Sequence, residues 1–253
     1  VPLEQPAEFQ DIELPERPPN NAEINADRTI VHIRLQYRRG QHVRFLSHLD
    51  VLRLFERTIR RARIPIVFTQ GFNPHPKLSF GPSLATGLTS DSEFLDLQVY
   101  ENGQNFDLKD LLAPHLPQGI DIISVRNLEK KSPALAALVN RADYECRLQG
   151  QFDTIDIKNR FDAILSKKEL LVKRKRKKEI RTIDVRPYID YFEVNETGFH
   201  VRTIMQDSKS IRISELLSLL FPEDVYTAKT AQVHRAALWV QAGEQMTHPM
   251  DVE

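Results

Sequence analysis

One cysteine in 253 residues, Cys146, rules out an intrachain disulfide. It also rules out a cysteine-based structural zinc site or an iron–sulfur cluster carried by this chain alone. No apolar run approaches the roughly 18 residues that a membrane span needs, and the N-terminus lacks the basic and apolar regions of a signal peptide. The expected compartment is therefore the cytoplasm. Net charge is missing too, because 35 Lys and Arg face 35 Asp and Glu. As a whole the molecule exerts no long-range pull on polyanions, so any affinity for nucleic acid has to come from local patches. The sequence starts on Val1 instead of Met, the expected mark of processing, trimming or a longer polypeptide.

The charge that cancels overall is unevenly placed. Residues 1–29 combine five prolines with an acidic excess and no apolar periodicity, which predicts a disordered or extended linker. Residues 30–63 reverse the balance, with nine arginines against only Asp50 and Glu56.

From Thr29 onward the pattern becomes periodic. TIVHIRLQYRR alternates Val31, Ile33, Leu35 and Tyr37 with His32, Arg34, Gln36 and Arg38, the signature of a half-buried strand. Ser47 opens a helix to about Arg63 whose apolar face is expected to hold Leu49, Leu52, Phe55, Ile59 and Ala62. IPIVFT, EFLDLQVY and GIDIISVRNL read as three more strands and FDLKDLLAPHL as a short helix, giving β-α-β-β-α-β, the ferredoxin-like order. After a helical connector, SPALAALVNRA, the order repeats with one extra strand, including two strands that turn at Glu196 to Gly198. The expected fold is α+β: two tandem ferredoxin-like (βαββαβ) domains with antiparallel sheets, at 30–130 and 142–243. The connector spans 131–141, and 244–253 is expected to be a frayed tail.

The stretch RFLSHLDVLRLFERTIRRARIPIVFTQGFNPHPKLSFGP holds the densest polar chemistry. Ser47-His48-Leu49-Asp50 fits a capping box, which accounts for Ser47 and Asp50 but not His48. Arg53, Arg57, Arg60 and Arg61 fall at i, i+4, i+7 and i+8, one stripe with only Glu56 to interrupt it. Such a stripe suits phosphate contact, and Arg34 and Arg38 on the strand and Lys77 in the loop are expected to extend it. In GFNPHPK, two prolines and a glycine stiffen the loop that carries Asn73 and His75. A pocket of His48, Asp50, Asn73 and His75 is expected, with His48 and His75 as candidate general acid/base groups. No recognised ligand spacing supports a metal site there. The second basic feature is Lys173-Arg174-Lys175-Arg176-Lys177-Lys178, expected on an exposed edge or hairpin as a further backbone contact for RNA.

The run FLSHLDVLRLFERTIRRARIPIVFTQGFNPHPKLSFGPSLATGLTSDSEFLDLQV resembles the signature region of the radical SAM-linked proteins, a family of uncharacterised function (domain of unknown function 2344). The likeness is specific over Tyr37 to Val99 and looser beyond, where IDVRPYI is the clearest echo. Members of that family are fused behind a radical SAM module or encoded beside one, often near ribosomal-protein and ribonuclease genes. The resemblance implies an accessory role close to radical SAM chemistry on RNA or the translation machinery, and supplies no established activity. With a single cysteine the chain cannot bind the radical SAM cluster, so S-adenosylmethionine and the iron–sulfur cluster are expected only on a partner or fused module. The leading expectation is a module, not catalytic by itself, that presents tRNA, rRNA or ribosome-associated RNA to a radical SAM protein in cis or in trans. The alternatives are an RNA-processing or RNA-modifying enzyme using His48 or His75, and a protein-docking adaptor for the radical SAM subunit.

Overall fold

A computed structural model describes residues 28–101, 107–129, 132–176, 179–206 and 209–252, with Arg176 described by its backbone alone. The expected linker is therefore outside the described residues up to residue 27, and so are Lys177 and Lys178 of the basic run. The chain is a mixed α+β protein with one large, mainly antiparallel sheet and few helices. Among the described residues no helix is long and apolar enough to cross a membrane.

The alternation of Ile33, Leu35 and Tyr37 builds strand β1 (Ile30–Arg39), which buries these three side chains. It lies between β3 (Thr89–Tyr100) and β4 (Ile120–Leu128), antiparallel to both. The far edge of β3 is shared: β2 (Leu78–Phe80) pairs with its residues 95–97, and β10 (Gln232–Ala242) meets Thr89 and Ser90 in a short parallel register. From β10 the sheet continues through β5 (Arg141–Arg147) and β9 (Gly198–Ile204) to β8 (Ile189–Asn195). The two halves of the chain thus form one sheet. Strands β6 (Leu171–Arg176) and β7 (Glu179–Asp184) form a separate two-stranded hairpin.

Helix α1 (His48–Arg61) covers the N-terminal half, and α4 (Thr154–Leu165) and α5 (Ile213–Leu220) cover the C-terminal half. The buried face of α1 is Val51, Leu54, Phe55, Thr58 and Ile59. It shares only Phe55 and Ile59 with the expected face. Leu49 is nine residues, or two and a half turns, from Thr58 and hence on the opposite side; it is 61% exposed. The short helices are α2 (Leu108–Leu112), α3 (Leu135–Leu138) and α6 (Val225–Thr230). The expected helical connector reduces to the single turn of α3.

Two further expectations are corrected. Residues 64–69 do not form a regular strand, although they run beside β3 with bonds from Tyr100 N–H to the Pro65 carbonyl and from Val67 N–H to the Gln98 carbonyl. Pro65 has no N–H to give the ladder, and Ile66 N–H turns back to the Ile64 carbonyl; the neighbouring strand is β2 instead. The C-terminal residues do not fray. Gln245–Thr247 form β11 against β10, and a 3-10 turn at Pro249–Asp251 buries Pro249 and Met250. What holds them is Arg34, fully buried on β1, whose guanidinium donates to the carbonyls of Pro249 (2.6 Å) and Val252 (2.9 Å) while pairing with Asp96 (2.7 Å). A buried guanidinium needs all its donors met, and the C-terminal carbonyls supply two acceptors. Leu135 of α3, Phe94, Leu238 and Met250 make a third small core.

The turn between β8 and β9 closes on Gly198, at φ +145, where an added Cβ would lie 2.1 Å from the Cys146 carbonyl oxygen. Gly198→Ala forces backbone apart in the centre of the C-terminal half. It is expected to cost roughly 2–4 kcal/mol, read as a lower urea midpoint; an unchanged midpoint would refute the close approach.

Candidate nucleic-acid interface

The helix start behaves as its sequence predicts. Ser47 Oγ accepts from Asp50 N–H (3.2 Å), and the Asp50 carboxylate accepts from Ser47 N–H (3.0 Å) and Ser47 Oγ–H (2.6 Å). The Ser47 hydroxyl and amide hold the Asp50 carboxyl below the usual carboxylate range. Asp50 is therefore committed to the cap. His48 sets its ring edge-on against Phe80 of β2, with centroids 5.5 Å apart, and Phe80 in turn contacts Phe55.

The GFNPHPK loop is pinned at its neck. His75 N–H donates to Thr69 Oγ1 (3.0 Å), and Thr69 N–H donates to the His75 carbonyl (2.8 Å). The His75 ring comes within 3.9 Å of Glu56 on α1, Asn73 is exposed, and Lys77 lines a cleft of about 300 Å³ beside His32, Asp96 and Gln98. The loop and α1 approach each other where His75 meets Glu56. His48 faces Phe80, Asp50 the cap and His75 Glu56, and none of the four expected pocket residues lines the 300 Å³ cleft beside Lys77.

The arginines of α1 differ from those tied into the fold by carboxylates. Arg53, Arg57, Arg60 and Arg61 are all exposed, and among the described residues none makes an ion pair or a hydrogen bond through its side chain. Arg34, Arg141, Arg160, Arg202 and Arg235 are each tied to a carboxylate. Arg38 is half-exposed and pairs with Asp91 at 2.7 Å. Four guanidiniums thus line the outer side of one helix about 20 Å long with no carboxylate in ion-pair contact among the described residues, although Arg53 and Arg57 act at longer range on Asp50.

The basic hairpin divides by face. Lys173 and Lys175 are exposed beside Leu171 and Ile180, which are 58% and 67% exposed. Arg174 points the other way, donating to both oxygens of Glu215 at 2.7 Å and to the Ser210 carbonyl. It fastens the hairpin to the start of α5. Burial pushes the Glu215 carboxyl up, but hydrogen bonds from Arg174 and the Arg212 amide outweigh it and leave the group lowered. Of the expected phosphate contacts here, Lys173 and Lys175 are free to reach a ligand and Arg174 is occupied.

Sequence reasoning missed the seam between the halves. A cleft of about 910 Å³ lies where β3 meets β10, and a second of about 770 Å³ adjoins it, sharing Gly87, Lys229, Ala231 and Val233. The GPSLATGL segment after β2 lines the second with Ser83, Thr86 and Leu88, against Leu217 and Phe221. In the larger cleft Thr89 Oγ1 and His234 Nδ1 share a 2.8 Å hydrogen bond, and His234 Nε2 is 3.6 Å from Asp91. Among the described residues no group of three or more His, Cys, Asp or Glu is arranged to hold a metal ion.

A family model described as "Uncharacterized protein conserved in bacteria (DUF2344)" matches residues 32–215, from β1 to the first turn of α5, and the chain belongs to that family. No curated protein matches it.

Proposed function

We propose that this member of an uncharacterised bacterial family is an RNA-recognition module. In this reading it presents tRNA, rRNA or ribosome-associated RNA to a radical SAM protein, in cis or in trans. The observation that carries the RNA part is the exposed cationic stripe Arg53, Arg57, Arg60 and Arg61, which makes no ion pair among the described residues. Each guanidinium offers a planar fork that matches phosphate oxygens, and binding releases condensed counterions. Lys173 and Lys175 supply a second point of attachment on the projecting hairpin. The radical SAM part rests on the resemblance of the Tyr37 to Val99 region. The one cysteine, Cys146, is buried and its thiol is pushed well up by desolvation, which makes it a poor metal ligand and leaves cluster chemistry to a partner or fused module. We further read each half as a ferredoxin-like unit, since the order β4-β1-β3-β2 recurs as β10-β5-β9-β8 with the β6-β7 hairpin inserted.

Filter binding of bulk tRNA and rRNA at two salt concentrations tests this. Binding is expected at low salt and is expected to weaken by at least tenfold for a fourfold rise in salt if about three or four phosphates are held. Absence of binding at low salt sinks the proposal.

A further inference from the structure

We infer that the cleft of about 910 Å³ at the seam of the two halves binds a single unstacked nucleotide. Two aromatic side chains that line it, Phe45 and Tyr226, are 69% and 71% exposed. Phe45 carries the Arg44 guanidinium over its ring at 4.6 Å, and neither ring is packed into a core. Exposed aromatic faces beside cations are what a base and its phosphate require, because every base has a π-face to stack and every nucleotide a charge to neutralise.

The charges point the same way. Asp91 is held by Arg38 at 2.7 Å, and Glu145 lies 3.8 Å from Arg147. Arg44 and Lys229 remain in the cleft with no carboxylate partner among the described residues, so it presents surplus positive charge to an anion. Its floor carries the Thr89 hydroxyl and the His234 ring, fixed against each other at 2.8 Å. This pair offers one hydroxyl and one imidazole edge to the polar rim of a base. The volume falls within the range of small-molecule sites.

The site is separate from the α1 stripe. If the nucleotide belongs to an RNA strand, the assignment deepens the RNA reading and rests on it; if it is a free mononucleotide, the assignment stands alone. Titration of the full chain with fluorescein-labelled hexauridylate and hexaadenylate, and with AMP and UMP followed calorimetrically, separates the two sources. In the strand case Phe45→Ala and Tyr226→Ala each weaken hexanucleotide binding about tenfold without changing its salt dependence. In the free case the hexanucleotides do not bind, AMP or UMP does, and Tyr226→Ala abolishes most of that binding; the cleft assignment then stands by itself, and filter binding of tRNA and rRNA decides the RNA reading. Both side chains are exposed, so neither variant is expected to disturb folding. If neither variant shifts the affinity of any probe, the assignment is overturned, even where RNA still binds through α1. Failure of the wild-type chain to bind any of these probes overturns the cleft assignment, while the RNA reading stands or falls by filter binding of tRNA and rRNA.

Discussion

Replacing Arg53, Arg57, Arg60 and Arg61 together by glutamine is expected to remove most RNA affinity at low salt while leaving the fold intact. Each phosphate that is no longer held lowers the magnitude of the salt slope by roughly 0.7–0.9, so four lower it by roughly 3, and at about 50 mM salt affinity falls on the order of a thousandfold. The fold should tolerate the change, since all four side chains are exposed and none makes an ion pair among the described residues. Glutamine also has nearly the same helix propensity as arginine. The diagnostic quantity is the slope. If the variant binds more weakly by one factor at all salt concentrations, the deficit does not come from phosphate neutralisation. A variant that keeps the wild-type slope shows that the stripe is a solvated face. A parallel change of Lys173 and Lys175 to glutamine should reduce the slope by only about half as much, because Arg174 between them is already committed to Glu215.

The parts of this architecture that could be read from sequence are those whose partners are near in the chain. Alternation from Val31 to Tyr37 predicts β1, and Ser47 with Asp50 predicts a cap whose donors and acceptors are three residues apart. The hairpin turn ending at Gly198 is equally local. The exact face of α1 is less legible, because Leu49 and Leu52 are as apolar as Val51 and Leu54, and only the sheet beneath decides which pair is buried. Arginines are the hardest to read. Arg34 and Arg38 sit on the same side of one alternating strand, yet Arg34 is fully buried because carbonyls 215 and 218 residues away reach it. The seam is hidden for the same reason, since Thr89 and His234 are 145 residues apart and meet in only two residues of parallel pairing. The GPSLATGL segment gains its meaning as a cleft wall only when helices from the other half close over it.

That seam also carries the largest expected drop in stability. Arg235 of β10, 1% exposed, donates through Nε to Glu93 of β3 at 2.9 Å, makes a second, shorter bond to the same oxygen, and donates to the Pro82 carbonyl at 2.9 Å. Arg39 of β1 is 2% exposed beside it, with Nη2 on the Leu46 carbonyl and Nε without a hydrogen-bond partner among the described residues. Burial pushes the Arg39 guanidinium down, and Glu93 opposes that push. Burial likewise raises the Tyr37 hydroxyl, and Glu93 raises it further. One carboxylate therefore balances two buried guanidiniums across three strands. Glu93→Gln keeps the shape and removes the counter-charge, leaving both cations desolvated, and is expected to cost about 3–5 kcal/mol. Against a total stability of about 5–15 kcal/mol this is enough to bring the chain near unfolding. Urea denaturation followed by far-UV circular dichroism and by the fluorescence of Trp239, the one tryptophan, which sits on β10, reads the change. The double variant Glu93→Met with Arg235→Met removes both members of the pair. It is expected to be less destabilised than Glu93→Gln, because an unpaired buried charge costs more than an absent pair. A Glu93→Gln chain within about 1 kcal/mol of wild type would show that the two guanidiniums find their counter-charge elsewhere.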